Sequence, residues 1–167
     1  RGDHKKWLDV FDLKTGKWEV LPDAPRPRDH FQSIIVDGKL YNLGGRTTVS
    51  ADNPFKYTIP LVDVFDLQTR KWSTLKKELP TGRAGNFVLN VGNEIIVFGG
   101  ESFTQEPAHD EVEALNIQTL NWRSLPKMPR GRHGTGAIRL GNKIYTASGS
   151  GNRGGGPELS DLWCYAF

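Results

Sequence analysis

Three arginines occupy the same position in successive stretches of about fifty residues, each directly after a proline or a glycine: Arg28, Arg83 and Arg132. A guanidinium presents parallel N–H donors that suit a carboxylate or a sulfate, so an arc of these side chains could bind an anionic ligand. The alternative is a structural role, in which each arginine ties neighbouring loops together. Because the arginine recurs in every stretch, we favour the structural role.

Residues that occur in only one stretch are better candidates for contacts with a specific ligand. Two histidines, His30 and His133, follow their arginines by two residues and by one residue. A histidine can exchange a proton near neutral pH, although most loop histidines are simply solvated. The predicted ligand-binding set comprises Arg28, His30, Arg83, Asn86, Glu101, Arg132, His133, Arg153 and Glu158.

No residue is predicted to be catalytic. The sequence contains no glycine-rich phosphate loop with a lysine, no Ser/His/Asp order and no convincing pair of carboxylates. The three glycines at 154–156 lack the helix and the lysine that a phosphate-binding loop requires. We therefore predict no metal and no cofactor.

Three aromatic residues lie in long segments of dissimilar sequence: Phe55, Tyr57 and Phe103. Aromatic rings in loops can stack on a sugar or anchor a protein partner, because they bury a large apolar area with few rotatable bonds. The alternative, which we weigh equally, is that these rings pack back onto the domain. The three are the predicted partner surface.

Composition excludes several classes of partner. The chain of 167 residues has 22 basic and 19 acidic residues with no block of like charge, so a nucleic-acid surface is not predicted. No apolar run is long enough to cross a membrane. The single cysteine, Cys164, excludes an intrachain disulfide and a multi-cysteine zinc site. Its apolar surroundings predict a small buried residue.

An internal repeat must position all these side chains. A six-residue apolar segment begins at Leu8 and recurs at Val62, Val112 and Leu162, and a turn with a tryptophan follows the first three copies, at Trp18, Trp72 and Trp122. Each unit continues with the arginine loop and a pair of apolar segments, the second of which ends in glycine, at 44–45, 99–100 and 149. So many features in one order at one spacing indicate a structural repeat.

Each unit is predicted to form four short strands: the two apolar segments after the arginine loop are labelled a and b, and the next repeated segment and the tryptophan strand that follows it are labelled c and d. Strands a and b meet at 37–38, 92–93 and 141–142, where Asp, Asn and Gly suit the positive φ angles of a tight hairpin. Strand b of the second full unit, residues 95–98, is apolar throughout, which indicates a strand covered on both faces. The repeated tryptophans are predicted to be buried between sheets.

The glycine pair, the strand c with an aromatic residue and an acid, and the following tryptophan resemble the kelch repeat of β-propellers. The resemblance covers essentially the whole chain, and the last unit, from Arg132, is most similar to the galactose-oxidase-like kelch group. It implies four-stranded antiparallel blades around a channel, usually six or seven of them. Function is then expected on the face of the d–a and b–c loops.

The resemblance to galactose oxidase raises the question of a copper site. Such a site needs two tyrosine and two histidine ligands, with one of the tyrosines crosslinked to a cysteine. Cys164 lies in strand c without such a set, so no copper ligand is predicted.

The chain is thus predicted to be one all-β segment, 1–167, of a kelch-type propeller with about three blade equivalents. Strands c and d of a first blade span 8–22, full blades span 28–78 and 83–125, and strands a, b and c of a last blade span 132–167. So few blades are not expected to close a ring, and an open one exposes apolar faces. We predict that the remaining blades come from the same longer protein or from another chain.

The leading functional hypothesis is a non-catalytic module that binds a protein or a glycan through its loop face. The alternative is a carbohydrate-active enzyme domain, sialate-epimerase-like or galactose-oxidase-like, with an Arg/His/Glu pocket at the channel mouth. An enzyme should show a deep polar pocket where Arg132, His133 and Glu101 or Glu158 converge. A docking module should show a broad shallow face with Phe55, Tyr57 and Phe103.

Overall fold

The structure, a computed structural model, describes residues 4–48 and 53–166, and every helix or strand element in these ranges is a β-strand. Phe167, which the sequence assigns to the last strand, lies outside the described residues. The strands are β1 (Leu8–Asp12), β2 (Lys17–Leu21), β3 (Gln32–Val36), β4 (Lys39–Leu43), β5 (Asp63–Asp66), β6 (Lys71–Thr74), β7 (Phe87–Val91), β8 (Glu94–Phe98), β9 (Val112–Asn116), β10 (Trp122–Leu125), β11 (Ala137–Leu140), β12 (Lys143–Ala147) and β13 (Leu162–Ala166).

The strands form four antiparallel sheets in which sequence neighbours pair. The first blade is β1–β2, the second is β3–β6, the third is β7–β10 and the fourth is β11–β13. The predicted all-β fold, with four-stranded antiparallel blades and about three blade equivalents, is confirmed.

The turns between strands follow from local chemistry. In the c–d turns the side chains of Asp12, Asp66 and Asn116 each accept hydrogen bonds from the backbone N–H groups two and three residues ahead. A residue of positive φ then closes each turn, Gly16 in the first blade and Leu120 in the third. These side-chain bonds replace the ladder bonds that the chain gives up as it reverses.

The core lies between blades. One apolar cluster, which includes Val64, Ile95 and Val97, joins the second blade to the third. A second cluster, which includes Phe98 and Ile144, joins the third blade to the fourth. Residues 95–98 alternate between the two clusters and are fully buried, so the strand predicted to be covered on both faces is covered by both neighbours.

The tryptophans show which side of a blade each ring faces. The indole N–H of Trp72 donates to the carbonyl of Pro22 at 2.8 Å, and Trp122 packs on the cluster between the second and third blades, so both rings face the preceding blade. Trp18 occupies the same position in the first blade but is 70% exposed. The predicted burial of Trp18 is wrong, because no blade precedes the first one in the structure.

The fourth blade has an open face at the other end. Ile138, Leu140 and Leu162 are largely exposed, although their counterparts in the third blade, Leu89, Val91 and Val112, pack in the cluster that joins it to the fourth. Cys164 lies on this open face and is exposed, so its predicted burial is wrong for the same reason. The apolar pattern correctly marks a blade interface, but the structure holds no blade to cover it.

Candidate functional site

The loop face consists of the d–a loops, residues 22–31, 75–86 and 126–136, and the described parts of the b–c loops, residues 44–48, 53–62, 99–111 and 148–161. In each of the last three blades one d–a residue pairs through its backbone with the residue after the last glycine that follows strand b, at 45, 100 and 149. The pairs are Asp29 with Arg46, Ala84 with Glu101, and His133 with Ser150. The repeat therefore presents two equivalent positions per blade on this face, and different residues fill them.

Glycine is required where these loops approach one another. The N–H of Gly100 donates to the carbonyl of Arg132 in the next blade at 2.9 Å, and a Cβ on Gly100 would lie 2.9 Å from the carbonyl oxygen of Ala84. A Cβ on Gly99 would overlap the same Arg132 carbonyl. The glycine pair thus allows the d–a loop of one blade to contact the b–c loop of the preceding blade.

The recurrent arginines bind within their own blades. Arg28 donates to the carbonyl of Gly44 at 2.8 Å and to the carboxylate of Asp63 at 2.5 Å, so it joins the end of strand b to strand c. Arg132 binds the equivalent carbonyl in the fourth blade, that of Ser148, and the carboxylate of Asp161 directly before strand c, with both contacts at about 3.0 Å.

Arg83 donates to the carbonyl of Val97 inside strand b of the third blade at 3.2 Å, and it lies 2.8 Å from Glu113, the strand c counterpart of Asp63. It is fully buried, and burial lowers its pKa while the charge of Glu113 opposes that shift. All three guanidinium groups are therefore occupied as ties inside the blades, which is the structural role that their recurrence favours.

A chain of charged side chains crosses the blades at the positions after the glycine pairs. Arg46 of the second blade donates to Glu101 of the third at 2.7 Å, and its Nε lies 3.3 Å from Asp29. The other oxygen of Glu101 accepts the N–H of Gly154 in the fourth blade at 2.6 Å and lies 3.5 Å from His133. Arg46 and Glu101 are buried, so this chain joins the last three blades of the structure.

Two of these residues were missed by sequence reasoning. Arg46 and Asp29 were not predicted to belong to the site. The signal was available in the repeat, because Arg46 follows Gly44 and Gly45 as Glu101 follows Gly99 and Gly100. A position-by-position alignment of the units would have found it.

His133 and Asn86 are also engaged. Nε2 of His133 lies 2.7 Å from the carbonyl oxygen of Asn152, and because a carbonyl only accepts, this nitrogen carries the proton. The buried amide of Asn86 donates to the carbonyl of Leu43 at 3.3 Å, across the boundary between the third and second blades. Glu158, by contrast, is exposed, and its backbone bridges to Ser150.

The b–c loops of three blades meet in a surface that we call the aromatic rim, formed by Phe55, Tyr57, Phe103 and Arg153. The guanidinium of Arg153 lies 6.0 Å from the ring of Phe55 and 5.8 Å from that of Phe103, and it donates to the carbonyl of Phe103 at 3.0 Å. Phe55 is partly buried under Arg46, at 4.9 Å. Phe103 is 51% exposed and Tyr57 is 44% exposed.

A serine, a histidine and a glutamate are hydrogen-bonded in series in the b–c loop of the third blade, and sequence reasoning missed this arrangement. Nε2 of His109 lies 2.7 Å from the hydroxyl of Ser102, and its Nδ1 lies 2.8 Å from Glu111. The order matches that of a hydrolytic triad. Ser102 and His109 are both buried, however, so a substrate has no access, and the set acts as an internal brace of the loop.

The brace has a defined charge state. Burial lowers the pKa of His109, against the opposing effect of Glu111. Burial alone would raise the pKa of Glu111, but hydrogen bonds from His109 and Lys127 outweigh it and lower this pKa to about 2. Near neutral pH the pair is therefore a neutral imidazole and a carboxylate.

Within residues 4–48 and 53–166, no three His, Cys, Asp or Glu side chains lie close enough to hold a metal ion. The same ranges contain no helix of the length and apolar character needed to span a membrane.

Comparison with known proteins agrees with the repeat and the blades. Residues 82–129 match the Kelch motif family. Kelch-like protein terF of Aspergillus terreus is 28% identical over 147 residues, which is 86% of this chain and 32% of that protein. Kelch domain-containing protein 8B of Rattus norvegicus is 26% identical over 146 residues, which is 85% of this chain and 41% of that protein.

The chain contains a kelch motif and folds as a segment of a kelch-type β-propeller. It spans about a third to two fifths of the length of these two relatives. The solved structure of YjhT shares the fold of this kelch domain, with a TM-score of 0.81, 18% sequence identity, and coverage of 98% of this chain and 63% of that chain.

Proposed function

We propose that this kelch domain is a non-catalytic docking module that binds a protein partner through the aromatic rim. The single observation that carries the proposal is that Phe103 remains about half exposed while its own carbonyl holds Arg153 beside its ring, with Tyr57 similarly exposed on the neighbouring b–c loop. Aromatic residues and arginine dominate the binding energy of protein interfaces, because they bury large areas and keep a polar group for pairing.

The geometry argues against a polar catalytic pocket at the same face. Such a pocket needs Arg132, His133 and Glu101 to converge with free polar groups. Arg132 instead pairs with Asp161, His133 with the carbonyl of Asn152, and Glu101 with Arg46 and Gly154. Groups that already satisfy one another inside the protein are poorly placed to bind a substrate.

A glycan is a less suitable partner, because arginine side chains already lie over two of the aromatic rings. A sugar stacks on an open aromatic face. Arg46 and Arg153 lie over Phe55, and Arg153 also lies over Phe103, so cations already cover these ring faces. A protein segment can instead contact the exposed parts of Phe103 and Tyr57 and pair with the guanidinium of Arg153.

The test is selection of a random-peptide phage library on the intact domain, followed by affinity measurements of the selected peptides. The double variant Phe103→Ala/Tyr57→Ala should weaken binding by at least about tenfold. The control is Leu140→Ser, which removes an even more exposed apolar residue from the open face of the fourth blade. Peptides that lose binding to the control but keep it to the rim variant would overturn the proposal, as would a domain that binds glycans on an array and selects no peptide.

A further inference from the structure

Three successive d–a loops hold one residue in the left-handed region at the same repeat position. These residues are His30 at φ 53°, Gly85 at φ 65° and Gly134 at φ 64°. They contact one another in order around the ring: the N–H of Gly85 donates to the carbonyl of His30 at 2.7 Å, and the N–H of Gly134 to that of Gly85 at 3.3 Å. The position therefore requires positive φ in each blade.

Glycine meets this requirement without strain, and a residue with a Cβ does not. The third and fourth blades use glycine, whereas the second blade uses histidine. The packing inside the domain gives no reason for the side chain, because His30 is 54% exposed. The second blade thus carries an unfavourable backbone conformation for a side chain that faces solvent on the loop face, which is the pattern of a residue kept for binding.

The imidazole of His30 is held in one orientation. Its Nδ1 lies 2.8 Å from a carboxylate oxygen of Asp29, and that carboxylate is itself 3.3 Å from Nε of Arg46. A carboxylate only accepts, so Nδ1 carries the hydrogen and Nε2 of the neutral ring is the acceptor. A fixed carboxylate thus positions the ring, and the other nitrogen is left to accept a hydrogen bond.

His30 is also continuous with the aromatic rim. Asp29 links it to Arg46, and Arg46 lies over the ring of Phe55. We infer that His30 is a specificity-determining contact of the same docking site, and that its Nε2 accepts a hydrogen bond from a hydroxyl or an N–H group of the bound protein. This inference rests on the proposed docking function.

The test compares His30→Gly with Leu120→Gly. Leu120 also has positive φ, at 56°, in a c–d turn at the opposite end of the blade, where the first blade has Gly16 at φ 67°. His30→Gly should raise the melting temperature, because glycine adopts the conformation without strain. The same variant should bind the peptides selected on the wild-type domain about tenfold more weakly. Leu120→Gly should leave peptide affinity unchanged, which shows that relief of backbone strain alone does not affect binding.

The outcomes separate this inference from the proposed function. If His30→Gly binds the selected peptides as tightly as the wild type while Phe103→Ala does not, the role of His30 is refuted and the docking function stands. If His30→Gly lowers the melting temperature, the imidazole stabilises the fold and its retention for binding is refuted. If no variant of the rim affects peptide affinity, the docking function itself fails.

Discussion

Arg46 of the second blade and Glu101 of the third form a buried ion pair of 2.7 Å at equivalent positions of their repeats. The backbone of each of these two residues pairs with the d–a loop of its own blade, and the side chain joins that blade to its neighbour. Arg46 of this pair lies over the ring of Phe55 at 4.9 Å, so the pair supports the surface that we propose to bind a partner.

Breaking this pair should destabilise the domain. Arg46→Met leaves Glu101 buried without its cation, which should lower the free energy of unfolding by about 3 kcal/mol. Arg123→Ala is the control, because Arg123 forms an equally short but exposed pair with Glu94 and should cost less than about 1 kcal/mol. Urea denaturation measures both, and equal losses for the two variants would contradict the role given to Arg46.

The first glycine of the glycine pair should not tolerate a side chain. Gly99→Ala places a Cβ against the carbonyl of Arg132 at φ 58°, so we expect a loss of about 2–4 kcal/mol in the free energy of unfolding. Gly136→Ala is the matched control, because no atom lies within 4 Å of its added Cβ. That variant should be neutral or slightly stabilising, since alanine restricts the unfolded chain. A neutral Gly99→Ala would show that the blades approach less closely than the structure has them.

Acid should loosen the b–c loop of the third blade. The pKa of His109 is lowered in the folded state, so the unfolded state binds a proton first as pH falls through the usual value of 6.5, and stability declines. The pKa of Glu111 is lowered to about 2 from 4.5, so its contribution, complete above pH 4.5, is lost as pH falls from there toward 2. Melting temperatures between pH 3 and 8 should fall toward acid, and the part of the fall below pH 4.5 should be shallower in Glu111→Gln, which lacks the carboxylate. Identical slopes in the two proteins would exclude this pair as the cause.

The open faces at both ends should bind an apolar dye. Leu140 and Ile138 are exposed on the fourth blade, and Trp18 and Val20 are exposed on the first. Leu140→Lys and Val20→Lys should each reduce the fluorescence of bound anilinonaphthalene sulfonate, because each charge interrupts one apolar face. An isolated chain that stays monomeric and binds no dye would contradict the proposal that further blades, from the same longer protein or from another chain, cover these faces.

The sequence predicted the interior of the fold better than its ends, for a physical reason. The apolar run at 95–98 predicts a strand that is buried on both faces, and the blades on either side of it bury both faces. Trp18 and Cys164 carry the same interface pattern, but their burial depends on blades that the structure does not contain. The sequence pattern of a strand indicates which of its faces is apolar, but it does not indicate whether another blade covers that face.

The site was predicted only in part, because loop contacts leave no periodic pattern. Phe103 and Tyr57 lie on the surface as a partner site requires, whereas Phe55 packs partly under Arg46. The bonds of Arg46 to Glu101 and of Ser102 to His109 depend on how long loops fold back, which propensity and spacing do not specify. His30 was named from its place after an arginine, but its unfavourable φ becomes visible only beside the glycines of the other blades.

Hydrogen–deuterium exchange of the domain with and without a selected peptide shows directly whether the aromatic rim is the docking site. We expect slower exchange in the described parts of the three b–c loops, residues 53–62, 101–109 and 150–158, and unchanged exchange in β11 and β12. Protection confined to β11 and β12, or to β1 and β2, would show that the peptide covers an open blade face, and would contradict the claim.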